Sequence, residues 1–254
     1  MNMAVDVVPG LKSAVESTFN DLVARDPLIM RVNHRIRDGT AKAADAHLYA
    51  QRTGELLSSS YLRNMTEETL PNATMYYNIA DRIVTPTMQT DYEMVNSVAE
   101  AVQKITDAQM GIGLNSVRAD FPVRRIEDLI EKIVGEDNLE AVKKWLDEPI
   151  VNNSEAFYDD FVRENADTRA AMGLKVTIER ELYPGCCEWC ARIGGTYAYG
   201  DEPADVYRRH EHCRCVVTYK SERKLQSVWS KAFWQPTERE LAERRAIRAP
   251  TGRG

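Results

Sequence analysis

The chain has 254 residues, 43% of them hydrophobic and 28% charged, with a net charge of −6. That length and apolar content suffice for a buried core and exclude a disordered tail, and the acidic balance excludes a protein that coats nucleic acid over its whole surface. No apolar run approaches the roughly 20 residues of a membrane span, and Met1-Asn2-Met3-Ala4-Val5-Asp6 lacks the basic and apolar regions of a signal peptide, so the expected compartment is a cytoplasm or a particle assembled in one.

In chain order, Pro9-Gly10 reads as a stop-and-turn signal, after which Leu11, Val15, Phe19, Leu22 and Val23 recur at helical spacing. Asp26-Pro27 closes that helix, because a residue before proline is driven out of helical geometry. Asp38-Gly39-Thr40 is the next break, with Thr40 the expected cap of a long helix through Ala44, Leu48, Leu56 and Leu57 toward Leu62. Pro71-Asn72 interrupts the chain again, and a short helix around Met75 to Ile83 follows. Tyr92, Val95, Val98, Ala99, Val102 and Ile105 then mark one apolar face of a separate long helix that ends near Gly111-Ile112-Gly113. Pro122 precedes the apolar set Ile126, Leu129, Ile130 and Ile133, with Gly135 as C-terminal cap. Leu139 to Leu146 reads as a short helix, and Ser154 as the cap of another that buries Phe157, Phe161 and Val162. These periodicities are complete within residues 1–172, so that region is expected to fold as a helical unit of its own.

After Gly173 the period changes. Leu174, Val176, Ile178 and Leu182 alternate with polar neighbours as a half-buried strand does. Pro184-Gly185 and Gly194-Gly195 are turns, Thr196-Tyr197-Ala198-Tyr199 is a short strand ended by Gly200-Asp201, and Cys213 to Tyr219 is the third strand. Residues 173–222 are thus predicted to form a small antiparallel module whose few apolar residues a bound metal would supplement. In residues 223–254, Val228, Trp229, Phe233 and Trp234 are expected to pack back on the sheet, and Thr237-Glu238-Arg239-Glu240 is a capping box before a short charged helix. The predicted class is α+β: a mainly helical N-terminal region, a small antiparallel β module with a Cys/His metal knuckle, and a short C-terminal helix.

The chemistry concentrates between Cys186 and Cys215. All five cysteines and two of the four histidines lie there, as Cys186-Cys187-Glu188-Trp189-Cys190 and His210-Glu211-His212-Cys213-Arg214-Cys215. A Cys-x-x-Cys turn brings two sulfurs to one tetrahedral ion, and Cys213-Arg214-Cys215 on a strand would present two more on one face, with His210 at the strand entrance. The candidate ligands are Cys187, Cys190, His210, Cys213 and Cys215, more than the four a structural zinc takes. An odd cysteine count weighs against a disulfide framework. Reduced packing cysteines, or a catalytic cysteine with His210 or His212, are the competing readings.

The pattern Cys187-x-x-Cys190-x-x-x-Gly194-Gly195, a spacer with Pro203, then His210-x-x-Cys213-Arg214-Cys215 resembles the C-terminal signature of the tailed-phage minor head proteins, the Mu F-like or phage head morphogenesis family. The family pattern carries a proline where Glu211 stands, and Cys186 and His212 are additions to it; the resemblance covers roughly Val176 to Tyr219. It implies a structural zinc and a minor structural protein of a phage head, in the virion near the portal, acting in head morphogenesis and DNA packaging or delivery. Its implied partners are the portal and the capsid or scaffold proteins, with no enzymatic turnover and no membrane.

The alternative reading is a zinc-ribbon or HNH-like nucleic-acid-binding protein or nuclease, for which His210 and His212 are suggestive but the rest of the motif is absent. Residues 1–150 carry 16 Lys and Arg against 23 Asp and Glu. The basic runs are Arg208-Arg209, Arg223-Lys224 and Arg244, Arg245, Arg248 and Arg253, so any DNA contact is expected to be weak and non-specific.

Overall fold

Pro9 opens the first helix instead of a turn. A proline in the first helical turn forfeits an N–H that would have no intrahelical partner anyway, so α1 runs Val8–Arg25 with Gly10 inside it. A computed structural model describes residues 6–222 of the chain. The expected aromatic contacts of Trp229, Phe233 and Trp234, the helix after Thr237 and the arginine tail lie outside the described residues.

Asp26 separates α1 from α2 (Pro27–Arg37). Its carboxylate accepts from the backbone N–H groups of Leu28 and Ile29, both at 3.0 Å, and from Arg52 Nε at 2.8 Å. α3 spans Ala43–Asn64, and its cap is not Thr40: Asp45 reaches back to accept from the Lys42 N–H at 2.9 Å. A turn of 3-10 helix at Pro71–Ala73 precedes α4, Tyr77–Met110, 34 residues in one piece where two helices were expected. Pro86 lies inside it. Loss of one ladder bond there costs roughly 3 kcal/mol, but Ile83, Val84, Thr87 and Met88 around it are wholly buried, and that packing holds the helix together. α4 ends at Gly111, whose φ of +65° is the left-handed conformation that suits glycine.

α5 is Val123–Val134, α6 is Leu139–Lys143 and α7 is Glu148–Ala171. Gly135 follows α5 in right-handed geometry, so the glycine has no special conformational task there. α7 starts six residues before the expected cap Ser154, again with a proline in the first turn. Ser154 is instead wholly buried in mid-helix, donating to Asp91 Oδ2 of α4 at 2.5 Å.

α3 and α7 pack face to face at Gly54. A Cβ on Gly54 would lie 2.7 Å from Ser154 Oγ and 2.8 Å from Val151 Cα, so only glycine permits the approach. The irregular stretch after α4 is held by α7: Asn165 Oδ1 accepts from the Val117 N–H at 2.9 Å and Asn165 Nδ2 donates to Val117 O at 2.7 Å.

The antiparallel sheet has the order β2-β1-β3, from β1 (Lys175–Glu181), β2 (Gly195–Ala198) and β3 (Val216–Glu222). Ile178 pairs with Tyr197 on one side and Tyr219 on the other. β3 begins after the cysteines, so Cys213 and Cys215 lie outside the ladder, although burial still alternates from Cys213 through Val217. The expected inward Leu182 is exposed at the strand end, and Arg180 takes an inward place. Val176, Ile178, Val206 and Val217 belong to the same buried cluster as the helical residues, so the core runs across the change of period after Gly173. Arg169 reinforces the join: it donates to both Asp107 oxygens, at 2.7 and 2.5 Å, and to Ser221 Oγ of β3 at 3.1 Å. Among the described residues no helix is long and apolar enough to cross a membrane.

Two outcomes follow for the helical core. Gly54→Ala is expected to lower stability by about 1–3 kcal/mol, since backbone on α7 must move; chemical denaturation measures it. Among the described residues Asp91 has no cation partner, and burial pushes its carboxyl up to about 6. Between about pH 4 and 6 the native state holds a proton that the unfolded state lacks, so stability falls as pH rises through that window, by up to about 3 kcal/mol. Asp91→Asn should therefore be the more stable protein at pH 7.5 and lose that advantage near pH 4, in urea melts at the two pH values.

Candidate metal centre

The knuckle hangs between the sheet and the start of a six-residue helix, α8 (Glu188–Ile193). Cys187 is its cap residue, and the N–H groups of Cys190 and Trp189 beside the sulfur hold the Cys187 thiol below its ordinary value. Cys190, one turn on, is fully buried, and burial followed by the neighbouring Cys213 sulfur pushes its thiol well up.

The second half of the cluster arrives on the loop before β3. His212 adopts a left-handed backbone (φ 58°), which folds the loop so that the Cys213 N–H meets His210 O at 3.1 Å. His210 Nε2 then lies 3.2 Å from Cys187 Sγ and 3.0 Å from Cys190 Sγ, and Cys190 Sγ lies 3.7 Å from Cys213 Sγ. The edge of a tetrahedral zinc-thiolate site with bonds of about 2.3 Å is about 3.8 Å. Cys187, Cys190 and His210 form one group whose ligand atoms lie within 4.8 Å of one another, and Cys190, Cys213 and Cys215 form a second. Cys190 belongs to both. This Cys/His cluster could hold a metal ion, and the five residues singled out from the sequence are divided between its two groups, joined at Cys190.

Groups around the cluster suit that task. His210 Nδ1 is 2.6 Å from Glu211 O, which fixes the proton on Nδ1 and leaves the Nε2 lone pair facing the sulfurs. The Tyr183 N–H lies 3.4 Å from Cys215 Sγ. Cys186 packs beside the cluster but is not in either ligand group. His212 turns away, with Nδ1 3.2 Å from Glu148 and a largely exposed ring.

Three arginines that sequence reasoning passed over hold the site. Arg180 is buried beneath it, with Nη2 3.3 Å from Cys213 Sγ and 3.8 Å from Cys190 Sγ, and Nη1 donates to Val206 O. A cation in this place balances thiolate charge that a metal alone leaves over. Arg209 is also buried and donates to both oxygens of Asp159, to His47 Nε2 at 2.9 Å and to Cys213 O at 3.3 Å. Arg214 makes a two-pronged pair with Glu148, at 2.8 and 3.0 Å. Burial, then Arg209, holds the His47 pKa well below its usual value, so His47 is the neutral acceptor this pair requires. Burial pushes the Glu155 carboxyl up to about 7 against the pull of Arg209 and Arg214. Glu148, Glu155 and Asp159 share one face of α7, and that helical spacing was the available signal.

No protein-family model, no curated protein and no solved structure matches the chain.

Protein prepared without chelator is expected to carry about one metal ion per chain by elemental mass spectrometry. Cys190→Ser should lose most of it and lower the melting temperature, because both ligand groups share Cys190. Cys186→Ser should keep both metal and stability. Metal well below half-stoichiometric, with all five thiols freely titratable in the native protein, would count against the site.

Proposed function

We propose that the protein is a minor structural component of a tailed-phage head, placed in the virion near the portal, with a structural zinc in its Cys/His cluster. The observation that carries this reading is the pattern Cys187-x-x-Cys190 with His210-x-x-Cys213-x-Cys215, the resemblance to the Mu F-like family, on residues that fall into two ligand groups joined at Cys190. Sulfur and imidazole donors select zinc over the hard, oxygen-seeking cations. More candidate ligands than a single ion needs, with Arg180 packed against the sulfurs, suit a closed structural site better than one with an open catalytic position.

On this reading the protein works by binding the portal and the capsid or scaffold proteins, without turnover of its own, in head morphogenesis and DNA packaging or delivery. DNA contact is at most weak and salt-sensitive. Co-expression with the cognate portal and capsid proteins, followed by particle purification, tests it. The expected result is co-purification with portal or particles. Failure to co-purify, together with metal-dependent nicking of DNA by the protein alone, would sink the assembly reading and favour the nuclease.

A further inference from the structure

Of the five cysteines, Cys190, Cys213 and Cys215 are buried, Cys186 is half-buried and Cys187 is exposed. Cys187 is therefore the sulfur of the cluster that a reagent in solvent meets first. A groove of about 690 Å³ over α7 runs up to Trp189 and His210. His210 Nε2 in turn lies 3.2 Å from Cys187 Sγ and 3.0 Å from Cys190 Sγ, and the two sulfurs lie within 4.8 Å of each other. An exposed cysteine with a buried one three residues on is the Cys-x-x-Cys layout that opens and closes as a disulfide.

Geometry singles out this pair. Cys186 and Cys187 are adjacent, so their Cα atoms stand about 3.8 Å apart across a trans peptide, closer than the roughly 4.4 Å at which disulfides begin. The Cys190 and Cys213 sulfurs are 3.7 Å apart, but both residues are buried and Arg180 Nη2 lies against both. Oxidation from solvent does not start there. We propose that Cys187 and Cys190 close to a reversible disulfide when a hydroperoxide reaches Cys187, and that this closure releases the metal from the cluster.

In the first step an oxygen passes from the hydroperoxide to Cys187. The O–O bond breaks, an S–O bond forms, and the alcohol, or water from hydrogen peroxide, leaves with a proton. Cys190 then attacks the Cys187 sulfenic acid. The S–S bond forms and the S–O bond breaks. A proton, from the Cys190 thiol or in the loaded protein from solvent, leaves with the hydroxyl as water. The two sulfurs together lose two electrons, and one hydroperoxide is reduced. A sulfur held by a metal is already a thiolate, so the loaded protein carries the reacting species too. The consequence follows from Cys190, which belongs to both ligand groups. Closing the bond removes two of the five candidate ligands and leaves His210, Cys213 and Cys215, fewer than the four that a structural zinc takes. Metal release rests on the zinc reading above; the disulfide rests on the sulfur geometry alone.

The test treats full-length protein, purified without chelator, with hydrogen peroxide. Remaining thiols are blocked with N-ethylmaleimide, and the cysteines are mapped by peptide mass spectrometry. A chromogenic chelator reads released metal in the same samples. The expected result is a Cys187–Cys190 disulfide, one ion released per disulfide formed, and return of both thiols with dithiothreitol. Cys186→Ser should behave as the unmutated chain. In Cys190→Ser, labelling of Cys187 by dimedone, which traps sulfenic acids, should rise several-fold; mapping of the unmutated chain decides the matter should that variant fold poorly. A dominant disulfide between any other two cysteines overturns the proposal. So does Cys187 driven to the sulfinic acid with Cys190 still a free thiol, or a full set of thiols that survives the peroxide. A loaded protein that forms the Cys187–Cys190 disulfide and keeps its metal overturns the release. A protein that starts without metal and forms that disulfide supports the redox pair and counts against the zinc reading instead.

Discussion

The Cys/His cluster depends on the buried pair between Arg209 and Asp159. His210 and Cys213 sit on a loop with no ladder hydrogen bonds of its own, so its position must come from side chains. Arg209 supplies that position: its guanidinium is seated in α7 on Asp159, touches His47 of α3, and donates to Cys213 O. Arg214 does the same on the other side of the cysteine with Glu148. Removing one partner of such a pair leaves an uncompensated buried charge, at a cost of about 3–5 kcal/mol. The pairs are therefore a stringent placement device, whatever their net contribution to stability.

That device works only if α7 is itself fixed. Gly54 lets α3 approach it to backbone contact, and Ser154, at the same crossing, hydrogen-bonds to the buried Asp91 of α4. Asp91, whose ionised form is disfavoured by burial, and Gly54, which weakens a helix by about 1 kcal/mol relative to alanine, each look unfavourable in isolation. Together they allow three helices to meet closely enough for Glu148, Glu155 and Asp159 to face the knuckle loop.

The class of fold was legible because it rests on period. Leu11, Val15 and Phe19 at helical spacing, and Val176 and Ile178 at strand spacing, are buried as their patterns require. The ligand cluster was legible because cysteine and histidine are scarce and their spacing is a chemical constraint. Boundaries were less legible where a local signal met tertiary packing. Pro9 and Pro149 are breakers in the abstract and helix openers in place, Pro86 is absorbed by a buried stretch of α4, and Ser154 trades a cap for a core hydrogen bond. The arginines were illegible for a related reason. Arg180, Arg209 and Arg214 read as solvated charge until their partners are known, and those partners lie 26 to 66 residues away for the contacts that matter most.

Metal centre and groove share a wall, and this ties local chemistry to the surface. His210 is a candidate ligand through Nε2 and also lines the groove. Trp189 meets it edge to face, with ring centres 5.6 Å apart, while Arg180 lies 5.7 Å from the Trp189 ring centre. A metal ion held by Cys187, Cys190 and His210 would fix the rim that His210 and Trp189 give this groove over α7. Without it, a small sheet and a six-residue helix would have to hold that rim with little apolar burial of their own. The cysteine cluster thus contributes most where the hydrophobic core contributes least, at the edge of the fold where a groove needs a rigid wall.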